Sequence, residues 1–147
     1  MDFRTTTVEA LAADVAARRT SARELTQAAL DRIEDLNPRV NAFVALDGDR
    51  ALREAAALDE RLAQGEDVGP LAGIPIGVKD LEDAVGFRTT QGSAVFADTP
   101  VAEADSTLVA RLRAAGCVVV GKTNTPELGH KGDTDNPLFG ATRNPWD

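Results

Sequence analysis

Apolar positions recur at helical spacing through the first third of the chain. Thr6-x-x-Glu9 and Ser21-x-x-Glu24 read as capping boxes, in which a hydroxyl and a carboxylate satisfy free backbone N–H groups reciprocally. After the first, Leu11 and Val15 stand one turn apart. After the second, Leu25, Ala29, Ile33 and Leu36 form an apolar stripe on one face. Asn37-Pro38 is expected to stop this helix, because the proline ring disfavours helical geometry at the residue before it. Val40 to Leu46 is short and rich in branched and aromatic residues, which predicts a strand. A third helix is predicted from about Asp49 to Gln64, with Ala51, Ala55, Leu58 and Leu62 inward and Gly65 closing it.

From Gly69 onward glycine and proline become frequent, and short apolar runs alternate with turns. Leu71 to Val78 leads into Lys79-Asp80. Asp105-Ser106-Thr107 is expected to cap a helix through Leu108, Val109 and Leu112, closed by Gly116. Cys117 to Val120 reads as a fully buried strand. That strand–helix–strand order predicts an α/β protein with parallel pairing. The stretch from Gly121 to Asp147 carries almost only loop signals, and a loop run that long implies a functional or unfinished segment. The expected organisation is one domain over 1–147, with a helical region at 1–68 and a strand and loop region at 69–147 that contains Lys79.

Composition narrows the function classes. The 147 residues carry 16 Lys and Arg against 24 Asp and Glu, a formal net charge of −8, which opposes binding to a phosphate backbone or an anionic membrane. The one cysteine, Cys117, can make no internal disulfide, and no Cys/His cluster suggests zinc. No apolar run approaches the span of a bilayer, and the beginning lacks the apolar core of a signal peptide. A cytoplasmic location is therefore expected, with no nucleic-acid or membrane partner and no cofactor. Only three serines (Ser21, Ser93, Ser106) and one histidine (His130) are available to build a Ser-His-Asp site.

Lys79 is the sharpest candidate for chemistry. It follows the strand-like run Ile74 to Val78, in which Gly77 would let another segment approach closely. Spacing alone leaves two roles open: a desolvated lysine acting as a base, or a lysine that reaches solvent and pairs with Asp80 or Glu82. Lys122 also follows a buried strand and is expected to bond loop carbonyls. Cys117 reads as a small core residue. Asp80 is expected to support Lys79 at most from behind.

Four blocks in order carry a family resemblance: Gly73-Ile74-Pro75-Ile76-Gly77-Val78-Lys79-Asp80, Gly121-Lys122-Thr123-Asn124-Thr125-Pro126-Glu127, Asn136-Pro137-Leu138-Phe139-Gly140 and Arg143-Asn144-Pro145-Trp146-Asp147. Together they resemble the amidase signature family, strongly from about Leu71 to Asp147 and more loosely through the N-terminal helices. The wording of Thr123 to Glu127 and Thr134 to Pro137 is closer to stand-alone amidases than to the tRNA-dependent amidotransferase.

The resemblance implies an α/β/α sandwich around a mixed sheet, incomplete in this chain, and hydrolysis of a carboxamide to acid and ammonia through an acyl-enzyme. It implies Ser–cis-Ser–Lys catalysis, with the lysine at Lys79 and both serines beyond Asp147. It implies that the loop near Gly129 and His130 lines the acyl pocket; an exposed loop histidine is the alternative for His130. With both serines missing, the chain is expected to be a truncated portion, inactive by itself and prone to self-association or homo-oligomer formation through uncovered strand edges. A small-molecule amide is the expected substrate of the complete form. Two other readings remain: part of the amidase-like subunit of a glutamyl-tRNA(Gln) or aspartyl-tRNA(Asn) amidotransferase, and a non-catalytic interaction protein.

Overall fold

The computed structural model describes residues 5–146. Helices α1 (Val8–Ala16), α2 (Ala22–Val40), α3 (Gly48–Ala63) and α4 (Thr107–Ala114) alternate with strands β1 (Phe43–Leu46), β2 (Pro75–Lys79) and β3 (Val118–Thr123). Two short 3₁₀ turns lie at Ala94–Phe96 and Glu127–Gly129. The strands form one sheet in the order β1-β3-β2. β1 runs antiparallel to β3, with Phe43 opposite Thr123 and Leu46 opposite Gly121. Val118 N–H bonds the Ile74 carbonyl, and Asp80 N–H bonds the Thr123 carbonyl. Partners thus advance together along β2 and β3, which makes this pair parallel. The expected α/β class with a small mixed sheet is what the chain adopts.

The chain divides into two units that interleave along the sequence. The first holds the residues up to Asp31, Asp47–Ile76 and Arg111–Val120; the second holds Arg32–Leu46, Gly77–Ala110 and the residues from Gly121 onward.

In the first unit, the interior is aliphatic. Leu11, Val15, Ala22, Leu25, Ala51, Ala55 and Leu58 are buried, as are Ile74 and Cys117 to Val120. These are the inward positions that the helical spacing marks. Helix starts are fixed by side chains. Thr7, rather than Thr6, caps α1 by accepting from Ala10 N–H at 3.1 Å, so the predicted cap shifts by one residue. Ser21 and Glu24 form the predicted box, Glu24 accepting from Ser21 N–H at 2.8 Å and donating its own N–H to Ser21 Oγ at 3.0 Å. Asp59 from α3 adds acceptors for the N–H groups of Ala22 and Arg23 at 2.7 and 3.1 Å. At the other end of α3, Gly65 N–H bonds the Leu62 carbonyl and Glu66 N–H bonds the Arg61 carbonyl, the double bond of a Schellman close.

Helix α2 does not stop at Asn37-Pro38: it runs on to Val40 with Pro38 inside it. The reason is the Asn37 side chain, whose carbonyl oxygen accepts from Ala42 and Phe43 N–H at 2.8 Å each while its amide donates to the Phe43 carbonyl at 2.9 Å. That clamp favours the last turn over the proline's local preference. Asn41, in the left-handed region at φ 53°, then ends the helix and delays the strand to Phe43.

The second unit is polar inside. Of eight buried polar or charged residues among those described, seven lie in it: Asp80, Thr90, Ser93, Lys122, Asn124, Thr125 and Asn136. Its centre is the Lys122 ammonium, which has no exposed surface. The Nζ donates to the Glu82 carbonyl at 2.8 Å, Thr89 Oγ1 at 2.9 Å and the Arg88 carbonyl at 3.2 Å, and pairs with Asp80 Oδ1 at 3.1 Å. Asp80 also accepts from Thr90, through its N–H at 3.2 Å and through its hydroxyl. The expected bonding of loop carbonyls by Lys122 is present. Asp80, by contrast, does not support Lys79; its carboxylate belongs to Lys122.

The 124–146 stretch is irregular, yet side chains tie its backbone together. Asn136 Nδ2 bonds Asn124 Oδ1 and the Thr125 carbonyl, both at 2.8 Å, while Asn136 Oδ1 accepts from Leu138 and Phe139 N–H. Asn124 Nδ2 reaches the Gly140 carbonyl at 3.1 Å, and Asn41 Nδ2 reaches the Phe139 carbonyl at 2.8 Å. Side-chain amides thus do here what a strand ladder does elsewhere. Among the described residues, no helix is long and apolar enough to cross a membrane.

Two outcomes follow from this packing. Lys122→Met leaves the Asp80 carboxylate buried without its counter-charge and should cost about 3–5 kcal/mol of unfolding free energy. In an Asp80→Asn background the same change should cost less, and a double-mutant cycle by urea unfolding measures the difference. Cys117 is buried, and burial pushes its thiol pKa up. The contribution of the neutral thiol to stability is present below the thiol's ordinary pKa and is lost as pH rises through the raised one. Its alkylation by iodoacetamide should be slow in the folded protein at mildly alkaline pH and fast once urea unfolds it.

Candidate functional site

Lys79 is the last residue of β2, and the strand's alternation decides where it points. Val78 and Asp80 face inward, 4% and 1% exposed, while Gly77 and Lys79 are exposed. No hydrogen bond or ion pair engages the Lys79 side chain among the described residues, whereas the side chain of Lys122 is fully engaged. The backbone around Lys79 is fixed on both sides. Its carbonyl accepts from Glu82 N–H at 3.0 Å, and the next residue donates its N–H to the Thr123 carbonyl at 2.9 Å. Gly77 meets the sequence expectation of close approach: a Cβ there would lie 2.6 Å from Thr123 Cγ2 and 2.9 Å from Phe43 Cε1. The arrangement offers a free primary amine on a rigid strand end, at the C-terminal edge of a parallel pair, where α/β folds place ligand sites.

Gly129 and His130 sit on the loop that leaves β3. Gly129 is exposed at φ 69°, with Leu81 so close that a Cβ would lie 2.7 Å from its Cδ1. His130 is exposed, and its Nδ1–H donates to the Glu127 carbonyl at 2.6 Å, so the ring folds back on its own turn. Beside it, Lys131 bridges Asp135 and Asp133; bonding from Asp135 first, and then Asp133, raises the Lys131 ammonium pKa. A cavity of about 390 Å³ opens over the Asp80–Lys122 pair, between Ala45 of β1 and Phe87, Val101 and Phe139; its lining does not include Lys79, Gly129 or His130. Among the described residues, no group of three or more His, Cys, Asp or Glu side chains is placed to hold a metal ion.

The remaining serines divide by environment. Ser21 and Ser106 are at helix starts as expected, Ser106 Oγ accepting from Val109 N–H at 3.4 Å. Ser93 is 3% exposed and donates its hydroxyl to Glu127 Oε1 at 2.7 Å. Sequence reasoning does not reach this pair. The turn signal Gln91-Gly92 announces the bend before Ser93, but nothing local points to Glu127, which lies 34 residues away. The asparagine set of the last stretch has a faint signal in Asn136-Pro137, since such dipeptides open turns.

Known proteins share this arrangement. The amidase family profile matches residues 24–147. The chain is 43% identical over 136 residues to an acylamidase of Rhodococcus erythropolis, covering 92% of this chain and 28% of that protein. It is 49% identical over 145 residues to the amidase-like component of the glutamyl-tRNA(Gln) amidotransferase of Acidothermus cellulolyticus, covering 99% of this chain and 28% of that protein. Among solved structures, the native peptide amidase of Stenotrophomonas maltophilia superimposes with a TM-score of 0.88 at 37% identity, covering 99% of this chain and 31% of that one. The chain therefore spans little more than a quarter of the length of these curated relatives. With the profile matched from residue 24 to the last residue and the fold shared with a solved amidase, the chain belongs to the amidase (amidase signature) family.

Proposed function

We propose that this chain supplies the base of an amide-hydrolysing site, and that Lys79 is that base. The observation that carries the reading is the contrast between two lysines at neighbouring strand ends. Lys122 is enclosed by four oxygens, whereas Lys79, in Gly77-Val78-Lys79-Asp80, is held by its backbone and free at its amine. The chemistry is Ser–cis-Ser–Lys. The Lys79 amine accepts the proton of one serine, which accepts that of the nucleophilic serine as its oxygen attacks the amide carbonyl. Backbone N–H groups hold the oxyanion; its collapse breaks the C–N bond, and the leaving nitrogen departs as ammonia with the returned proton. Water then releases the acid from the acyl-enzyme. Both serines come from the part of the whole protein that answers to the remaining length of the relatives. The substrate is a small-molecule carboxamide in a cytoplasmic setting, without nucleic acid or membrane, and Gly129 and His130 border its acyl side. Self-association through the strand edges belongs to the same proposal.

The 49% identity to an amidotransferase component favours a second reading, in which the released ammonia is delivered to a charged tRNA together with partner polypeptides. A dependence of activity on a second polypeptide and on tRNA separates the two.

In the whole protein, Lys79→Ala should lower kcat/KM for amide hydrolysis by about 10⁴-fold or more and abolish acyl-enzyme formation in single-turnover experiments. The unfolding midpoint should change little, because the exposed side chain makes no hydrogen bond or ion pair to lose. Near-normal turnover in that variant would remove Lys79 from the mechanism.

A further inference from the structure

The loops that leave β2 and β3 meet at one place, and both are bent there in the same unusual way. Gln91 and Gly92 have φ 54° and 64°; Leu128 and Gly129 have φ 55° and 69°. Left-handed geometry at Gln91 and Leu128 costs about 1 kcal/mol or more each, so something must hold it. The backbone holds part of it: Leu128 N–H donates to the Gln91 carbonyl at 2.8 Å, and Gln91 N–H donates to the Asp80 carbonyl at 3.0 Å. The residue after Lys79 and both bends therefore lie on one run of hydrogen bonds. The Ser93 hydroxyl, with its 2.7 Å bond to Glu127, straps the two loops across the bend. The same hydroxyl accepts from Val95 N–H at 3.4 Å, which starts the first 3₁₀ turn. The strap is anchored on buried Ser93, yet the residues it places are apolar and exposed, Val95 at 83% and Leu128 at 57%.

A charge-assisted bond that holds strained backbone beneath an exposed apolar rim suits a recognition surface better than a core. We infer that Ser93 and Glu127 are positioning residues, which fix Val95 and Leu128 as a rim that favours amides with an apolar acyl group over small ones. Neither residue touches the reacting atoms. The inference rests on Lys79 as the base of an amide-hydrolysing site.

The test compares hexanamide and acetamide hydrolysis by the whole protein and its variants. Ser93→Ala and Glu127→Ala should each lower the ratio of kcat/KM for hexanamide to that for acetamide about tenfold, the loss expected when a hydrogen bond to a charged group is removed. Glu127→Gln keeps an acceptor oxygen for Ser93 and should restore the ratio to within about twofold of wild type. A role confined to stability would lower the melting temperature and leave the ratio unchanged, and that result would overturn the inference. So would a Glu127→Gln ratio as low as that of Glu127→Ala, or a wild-type protein that turns over neither amide. The two readings fail separately: Lys79→Ala that remains active removes the base, whereas an unchanged ratio in Ser93→Ala beside an inactive Lys79→Ala removes only the strap.

Discussion

A lysine ammonium withdrawn from water must find its full set of acceptors inside the protein, and Lys122 finds them in the segment that follows β2. Its partners are Asp80, the Glu82 and Arg88 carbonyls, and the Thr89 hydroxyl. An uncompensated buried charge costs several kcal/mol, so this segment cannot leave the ammonium without stranding it in a dry interior. The charge thereby acts as a template around which residues 80–90 close. Lys79 is one residue upstream of that closure and inherits its fixed position from it.

The same constraint accounts for the different interiors of the two units. The first is aliphatic and specified by periodicity, with Leu11, Val15, Leu25 and Leu58 where helical spacing puts them. The second has few regular elements and cannot satisfy its backbone through ladders. It uses side-chain amides, hydroxyls and one ion pair, in which each donor is matched to a particular acceptor. Such interiors tolerate little substitution but hold irregular backbone in place, which loops at a strand end require if they are to present chemistry.

What was legible in the residues follows the same division. Helical periodicity located α1, α2 and α3, and the run Cys117 to Val120 announced β3, because burial of an apolar face leaves a repeating mark. Pro38 misled because its local preference was outweighed by the Asn37 clamp on Ala42 and Phe43, a contact with no periodic trace. Asp80 looked like a partner for adjacent Lys79, yet strand alternation sends neighbours to opposite faces and gives Asp80 to Lys122. Ser93 and Glu127 were out of reach because their meeting depends on how two loops bend. Lys79 was legible only through the Gly77 to Asp80 motif; its spacing alone left two roles open.

The central claim is that the segment after Lys79 is as rigid as the sheet because a buried ammonium holds it. Amide hydrogen exchange at Thr90 and Gln91, whose N–H groups bond the Asp80 carboxylate and carbonyl, measures that directly. Protection comparable to that of Val120 in β3 is the expected result. Exchange at the rate of an exposed loop, beside a protected β3, would contradict it.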